Sequence, residues 1–320
     1  MLKKILLWVS TFSGILMLVW VIIVLDVTSM PITRISAPDA FSREYQQKDS
    51  VVLLSYADGD NVYFKNQNAL NLSALNRGVD HLHTYRRSHI NPTFFEQYKH
   101  ILNQKRGAGY WLWKPYIILQ TMKMYPENTL IIYADSGVIF SKDISLLFMD
   151  LKSHDRIFVI QGKSTPLERH LKKEAQHKMG ISDDSVILKS ENLWAFFMCF
   201  KNTKENQAFV EQWLKLCCDG SLLTDAPMDP KRQNNAFEYH QHDQSLLSVI
   251  LAKQDAVFLG KTQLIKKNVL RNRYGIYNIH RHPKDEWTSP WFIMGGMPAW
   301  LNAVLLNNPL MRMLRKIREF

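Results

Sequence analysis

The chain has 320 residues, with 40 Lys or Arg against 29 Asp or Glu, and a formal net charge of +11 at pH 7. This length allows one large α/β domain with a well-buried core. The positive charge suits an anionic partner, but the sequence contains no zinc-finger spacing, basic heptad region or aromatic RNA-binding signature, which argues against nucleic acid. Three cysteines, two of them adjacent, do not make a disulfide framework and predict free thiols.

The N-terminal residues predict a membrane anchor. Residues 5–25 carry no charged side chain, and at about 1.5 Å per residue they are long enough to cross a hydrocarbon core of about 30 Å. A cleaved signal peptide is the alternative, although its apolar part is usually shorter. Lys3 and Lys4 before the run and Asp26 after it predict a single-pass membrane protein with a cytosolic N-terminus. The membrane would be of Golgi type in a eukaryotic cell or viral host, or the inner membrane of a bacterium.

Composition divides the chain into five parts. Residues 1–4 form a short basic N-terminus, residues 5–25 the anchor, and residues 26–48 a polar stem or linker. Residues 49–286 are predicted to form the main folded domain. Residues 287–320 combine aromatic, glycine and basic residues, which predicts either a membrane-surface helix or a core helix with a solvated tail.

Within residues 49–286, apolar runs that end at turn residues alternate with segments of helical spacing. Strands are predicted at Val51–Tyr56, His81–Tyr85, Thr129–Ala134, Arg156–Gln161, Leu193–Phe200, Val257–Leu259 and Tyr274–Ile279. Helices are predicted at Asn61–Asn76, Phe94–Gln104, Tyr116–Tyr125, Ala208–Cys217 and Gln244–Ala252. This alternation predicts an α/β fold with a mainly parallel sheet flanked by helices.

The stretch Arg106–Gly137 joins an aromatic, glycine-containing turn to a helical segment and then to a strand that ends at Asp135. A carboxylate at the end of a buried strand lies outside the carboxyl edge of an α/β sheet, where ligands bind. In the turn, Arg106 and Lys114 supply positive charge for a phosphate. These residues predict a nucleotide-sugar site, with a turn cap at the strand end as the alternative role of Asp135.

Two aromatic residues are predicted to contribute to the same donor site. Trp113 in the turn and Tyr56 at the end of the first strand offer flat surfaces for a base or a sugar ring. Tryptophans in such segments are more often core residues, and that alternative stays open.

Three motifs carry a resemblance to a known group of enzymes: RGAGYWLWKPYIIL, then IIYADSG, and later HDQS. In these motifs the chain resembles GT-A-type sugar transferases of bacteria and viruses that act in capsular or surface polysaccharide synthesis. The resemblance implies a GT-A-like, Rossmann-like α/β domain. It also implies transfer of a sugar from a nucleotide-diphosphate donor to a glycan or lipid-linked acceptor.

The resemblance further implies a divalent cation, Mn²⁺ or Mg²⁺. GT-A enzymes hold it with an Asp-x-Asp signature, because two carboxylates spaced by one residue can reach one hard cation. Here the signature reads Asp135-Ser136-Gly137, so the second carboxylate is missing. By analogy a C-terminal histidine completes the site, which gives Asp135 and His280, or His282 in its place, as predicted metal ligands.

The catalytic base is predicted in the segment His240–Ser245, which opens a helix. Asp-Gln pairs at this place in GT-A sequences lie beside the acceptor, and a carboxylate there can remove the proton from the attacking hydroxyl. Asp243 is the first candidate and Glu191 the second. An N-cap of the helix is the structural alternative for Asp243.

Two other functions compete with the transferase. The missing second carboxylate favours a non-catalytic, membrane-anchored glycan-binding or scaffold protein on a degenerate transferase fold. A phosphodiester-forming enzyme could use the same basic pocket.

Overall fold

The computed structural model describes residues 11–18, 34–36, 50–75, 77–144, 146–147, 149, 157–160, 165–255 and 262–278. Residues 11–18 are helical. Among the described residues, no helix combines the length and apolar character needed to cross a membrane. Most of the predicted anchor and stem, and all of residues 287–320, lie outside the described residues.

A seven-stranded mixed sheet forms the centre of the fold, with strand order β1-β3-β2-β4-β7-β6-β8. Its strands are β1 (Arg34–Ser36), β2 (Val51–Tyr56), β3 (His81–Tyr85), β4 (Leu130–Ala134), β6 (Ile157–Ile160), β7 (Trp194–Lys201) and β8 (Thr262–Ile265). Strand β7 runs antiparallel to both of its neighbours, and the other pairings are parallel. A small antiparallel pair, β5 (Val138–Phe140) with β9 (Ile276–Asn278), lies outside this sheet.

Helices cover the sheet on both faces. They are α1 (Asn61–Ala74), α2 (Pro92–Gln97), α3 (Lys99–Leu102), α4 (Trp113–Met124), α5 (Lys173–Lys178), α6 (Lys204–Cys217), α7 (Gly220–Leu223), α8 (His242–Asp255) and α9 (Lys267–Asn272). Single 3₁₀ turns occur at Arg87–His89, Leu167–Arg169, Val186–Lys189 and Pro230–Arg232.

Successive side chains of the central strands point to opposite faces of the sheet, and both faces are buried. In β2, Val52 and Leu54 pack into the cluster that contains α4, α6 and α8. Val51 and Leu53 point the other way, into the cluster that contains α1 and α9. Because both faces are covered, the strand reads as a continuous apolar run rather than an alternating one.

The predicted α/β class with a mostly parallel sheet flanked by helices is confirmed. Strands β2 and β3 have the predicted bounds. The predicted helix Phe94–Gln104 is wrong as a single element, because the chain leaves helical geometry at Tyr98 (φ −115°, ψ 19°) and forms α2 and α3. The predicted strand Val257–Leu259 lies outside the described residues. The three cysteines are free, as predicted.

Candidate functional site

The predicted site lies at the carboxyl end of β4. Asp135 follows β4 directly, and its backbone N–H donates to the carbonyl of Phe196 at 2.8 Å, which ties the strand end to β7. The hydroxyl of Tyr133, two residues earlier, donates to Oδ1 of Asp135. Both contacts fix the carboxylate at the edge of the sheet, where an α/β fold binds ligands.

Lys114, in the first turn of α4, joins Asp135 to Asp243. Its ammonium lies 3.1 Å from Oδ2 of Asp243 and 3.6 Å from Oδ1 of Asp135. It also donates to the carbonyl of Ala195 at 3.2 Å. The side chains of Lys114 and Asp243 are each only 4% exposed, whereas that of Asp135 is 27% exposed. Residues distant in sequence therefore form one buried ion cluster, with Asp135 as its accessible member.

The cluster changes the acidity of its members. Burial raises the pKa of Asp243 to about 6, against the lowering effect of the Lys114 ammonium. Burial lowers the pKa of Lys114, but the carboxylates of Asp135 and Asp243 outweigh this and hold that pKa above its usual value. Burial, together with the neighbouring Asp135 carboxylate, raises the pKa of Tyr133 well above its usual value. Asp243 can therefore exchange a proton near neutral pH while Lys114 stays charged.

The start of α8 places Asp243 in this cluster. The preceding residue, His242, has a left-handed backbone (φ 53°) from which the helix begins. The indole N–H of Trp213, on α6, donates to the backbone carbonyl of Asp243 at 2.9 Å. Asp243 is the second residue of the helix rather than a residue before it, and its carboxylate contacts Lys114.

A cavity of about 430 Å³ opens over the cluster. Its lining residues are Arg106, Trp111, Lys114, Asp135, Trp194, Ala195, Phe196, Tyr239, His240, Gln241, His242, Asp243, Gln244 and Lys267. The volume is in the range of small-molecule sites, and the lining combines aromatic surfaces with a few convergent polar groups. The structure thus brings together Arg106, Lys114, Asp135 and Asp243.

The aromatic turn has a left-handed backbone, which decides which tryptophan reaches the cavity. Every residue from Gly107 to Trp111 has a positive φ, and Gly109 has φ +104° with the backbone of Leu102 2.7 Å from where its Cβ would be. Only glycine fits at that point without displacing α3. The turn directs Trp111 to the cavity, where its ring stacks on His242.

Two predicted donor-site residues lie elsewhere. Trp113 stacks on Tyr56 with ring centroids 4.0 Å apart, and each residue is 5% exposed. The indole N–H of Trp113 donates to the carbonyl of Gly107, and the hydroxyl of Tyr56 donates to Asp58. Neither residue lines the cavity, and the burial of Trp113 matches the core alternative given for it. Glu191, the second candidate base, pairs with Pro166 in an isolated bridge and is also outside the lining.

Sequence reasoning missed several residues of the cavity wall. Trp194 begins β7, and the ammonium of Lys267 lies 4.9 Å from the centroid of its ring. Gln241 lies two residues before Asp243 in the predicted motif, and that proximity was a usable signal, whereas Gln244 belongs to the Asp-Gln pair already predicted beside the acceptor. Asp225 is not itself a lining residue but contacts Arg106, which is, and it has no comparable signal because only the folding of the chain brings the two together.

The described residues do not by themselves make a divalent-cation site. In this part of the chain no three His, Cys, Asp or Glu side chains are grouped so that they could hold a metal. Asp135 presents Oδ1 to a hydroxyl and to the Lys114 ammonium, and a positive charge at 3.6 Å opposes a cation on that oxygen. His280, the other predicted ligand, lies outside the described residues.

Comparison with known proteins gives a family. The model of the galactosyl transferase GMA12/MNN10 family matches residues 46–287, which is more than half of the chain. No curated protein sequence gives a significant match.

Similarity to solved structures is weak. The bifunctional glycosyltransferase WbbM is 9% identical with a TM-score of 0.39, over 69% of this chain and 40% of WbbM, so the chain spans less than half of that protein. Mouse xyloside xylosyltransferase 1 is 10% identical with a TM-score of 0.37, over 68% of this chain and 84% of its own. The glycosyltransferase GlyE of Streptococcus pneumoniae is 13% identical with a TM-score of 0.39, over 80% and 62% of the two chains. At these values the assignment rests on the family model: the chain belongs to the galactosyl transferase GMA12/MNN10 family and is a glycosyltransferase.

Proposed function

We propose that this glycosyltransferase takes its sugar from a nucleotide-diphosphate donor and transfers it to a glycan or lipid-linked acceptor. The observation that carries the proposal is the ion cluster of Asp135, Lys114 and Asp243 at the base of the cavity. It combines an accessible carboxylate at the strand end with a buried carboxylate whose pKa is about 6.

Asp135 is assigned to the donor. Its contacts with Tyr133 and Lys114 both involve Oδ1, which leaves Oδ2 to accept a hydrogen bond from a ribose hydroxyl. The leaving diphosphate gains negative charge as its bond to the sugar breaks, and fixed cations stabilise that charge most in the transition state. Lys267 lies at the cavity wall and can supply such a charge, whereas Arg106, at the same cavity, pairs with the carboxylate of Asp225.

Lys114 is assigned a positioning role instead of direct contact with phosphate. Its ammonium has three protons, and two carboxylates and one carbonyl lie around it within the protein. It therefore holds Asp135 and Asp243 at a fixed separation. This assignment replaces the predicted phosphate contact of Lys114 in the mechanism.

Asp243 is assigned to the acceptor as general base. In a direct displacement its carboxylate accepts the proton of the attacking hydroxyl, the hydroxyl oxygen bonds to the anomeric carbon, and the bond from that carbon to the diphosphate breaks. The pKa of about 6 leaves the carboxylate ionised at pH 7 and close to the optimum for proton transfer.

We also propose a single-pass anchor at residues 5–25 with a cytosolic N-terminus, on the sequence argument alone. A divalent cation held by Asp135 and His280 stays a prediction, and the roles assigned to Asp135, Lys114 and Asp243 do not depend on it. Carbonate extraction and protease protection of the full-length protein test the anchor and its orientation.

Turnover of nucleotide sugars tests the proposed transfer from a nucleotide-diphosphate donor. The full-length protein is incubated with labelled uridine- and guanosine-diphosphate sugars, with and without Mn²⁺, and released nucleotide and sugar products are measured. Turnover that falls at least a hundredfold in Asp243→Asn supports the proposal. Binding of glycans without turnover of the donor would favour the non-catalytic alternative. That alternative is supported by Gly137, which stands where the second carboxylate of the Asp-x-Asp signature is expected. Transfer of a sugar phosphate would favour the phosphodiester-forming one.

A further inference from the structure

His242 has a buried ring nitrogen without a hydrogen-bond partner. Its Nδ1 lies 2.8 Å from the carbonyl oxygen of Leu223. A carbonyl only accepts, so Nδ1 carries the proton and Nε2 of the neutral ring is an acceptor. This Nε2 has no hydrogen-bond partner among the described residues, although His242 is only 2% exposed. Burial lowers the pKa of His242 to about 4, which keeps the ring neutral at pH 7.

A second acceptor faces this nitrogen. Oδ1 of Asp225 lies 3.8 Å from Nε2 of His242. The other oxygen of Asp225 accepts from the hydroxyl of Tyr110 at 3.1 Å and lies 3.3 Å from Nη1 of Arg106. Two acceptors face each other with no proton between them, and an acceptor left unpaired in a buried position costs free energy. The pair is therefore suited to a ligand that donates hydrogen bonds.

The surroundings restrict the class of ligand. A phosphate or carboxylate would face the Asp225 carboxylate and a nitrogen lone pair, which repel it. A metal cation would lie beside the Arg106 guanidinium, 3.3 Å from the same carboxylate. A neutral hydroxyl avoids both penalties, because it donates to the histidine or the carboxylate and can accept from the half-exposed Arg106.

An aromatic surface adjoins the acceptor pair. The ring of Trp111 stacks on His242 with centroids 5.5 Å apart and planes at 22°, and Trp111 is half-buried at the cavity wall. Tyr110 meets His242 edge-on with centroids 4.9 Å apart. Aromatic rings offer an apolar face, and the polar groups beside them fix orientation. A pyranose ring has the matching chemistry, with apolar C–H faces and hydroxyls at its edge.

We propose that Arg106, Asp225 and His242 form a hydroxyl-binding subsite for a pyranose ring of the acceptor. His242 directly precedes Asp243, so a ring held at His242 lies next to the carboxylate assigned as general base. The inference rests on the proposed function, because it names the acceptor side of the same cavity as a neutral saccharide. Asp225 and His242 are positioning and specificity residues for that ring.

Ligand binding measured by saturation-transfer NMR tests the subsite separately from catalysis. The probes are the methyl α- and β-pyranosides of glucose, galactose and mannose, with uridine diphosphate as a donor-side probe. Asp225→Asn removes the charge of the acceptor carboxylate. The side chain of Asp225 is 38% exposed, so this variant should fold. Asp229→Asn is the matched control, since Asp229 is 46% exposed and pairs with Arg232 outside the cavity lining.

The expected result is that at least one glycoside binds the unaltered protein and that Asp225→Asn weakens this binding about tenfold or more. Asp229→Asn should leave it unchanged, and neither variant should alter binding of uridine diphosphate more than twofold. The inference is overturned if no glycoside binds, because an ordered water would then suffice between the two acceptors. The inference is also overturned if the Asp225→Asn variant binds glycosides normally. It is overturned equally if this variant binds uridine diphosphate more weakly and glycosides normally, because the subsite would then belong to the donor.

The failure of the proposed function gives a different result. If uridine and guanosine diphosphates fail to bind the unaltered protein while a glycoside binds through Asp225, the donor proposal fails and the saccharide subsite stands. His242→Asn provides a second variant, because asparagine tolerates the positive φ at this position but lacks the imidazole ring. Folding of each variant is checked by its thermal unfolding.

Discussion

Replacing Lys114 by methionine should destabilise the protein strongly at pH 8 and weakly at pH 5. Lys114→Met keeps much of the side-chain volume but removes the positive charge between Asp135 and Asp243. At 3.1 and 3.6 Å, and with an effective dielectric constant of about 20, each lost attraction corresponds to about 5 kcal/mol before desolvation is counted. Removing one partner of a buried pair costs about 3–5 kcal/mol in measured cases, and this is the loss expected at pH 8.

The pH dependence follows from the acidity of Asp243. Its pKa is about 6 in the folded protein, above the usual value for an aspartate, and it rises further without Lys114. A carboxyl whose folded pKa is raised loses stability as the pH rises from the unfolded to the folded pKa. At pH 5 Asp243 of the variant is protonated, so the cost of an unpaired buried charge disappears.

Urea unfolding at pH 5 and pH 8 measures the two losses. The double variant Lys114→Met with Asp243→Asn should recover much of the stability at pH 8, because the unpaired carboxylate is gone. A loss below about 1 kcal/mol at pH 8, or an equal loss at both pH values, would refute the buried ion cluster as the reason for the effect.

Three further predictions concern the base, the metal and the turn. The turnover rate should fall below pH 6, because Asp243 is protonated there. Asp243→Asn should lower the rate about a hundredfold or more and should abolish this pH dependence. A turnover rate of the unaltered protein that does not change with pH would contradict the assignment of Asp243 as general base. If His280 binds the cation, His280→Ala should abolish the effect of Mn²⁺ on nucleotide affinity measured by calorimetry. His177→Ala, at an exposed position, is the control and should leave that effect unchanged. An equal effect of Mn²⁺ in both variants would show that His280 is not a metal ligand. Gly109→Ala should lower the free energy of unfolding, measured in urea, by about 2 kcal/mol more than Gly180→Ala. Both glycines have positive φ, but of the two only Gly109 would place a Cβ against backbone, 2.7 Å from Leu102. Equal losses in the two variants would contradict the close approach of the turn to α3.

The sequence predicts the elements whose burial is complete and whose ends are marked by turn residues. Strand β2 is an uninterrupted apolar run that stops at Ala57-Asp58-Gly59, so its bounds are readable. The direction of β7 is not readable, because an apolar run looks the same in a parallel and an antiparallel pairing. The three-residue strand β5 and the four-residue strand β8 are too short to show a period.

The candidate site was predictable where its residues mark the end of a strand or the start of a helix. Asp135 and Asp243 were identified in this way, and the fold brings both to Lys114. The choice between Trp111 and Trp113 was not readable, since it depends on five consecutive residues with positive φ that rotate the side chains of the turn. Asp225 joins the site from a separate loop, and nothing in its local sequence indicates this.

Turnover of labelled nucleotide sugars by the full-length protein and by Asp135→Asn and Asp243→Asn tests the account most directly. The account predicts sugar transfer by the unaltered protein, weaker donor binding in Asp135→Asn, and normal donor binding with loss of transfer in Asp243→Asn. Transfer that is unaffected in both variants would contradict the assignment of the cavity over Lys114 as the active site.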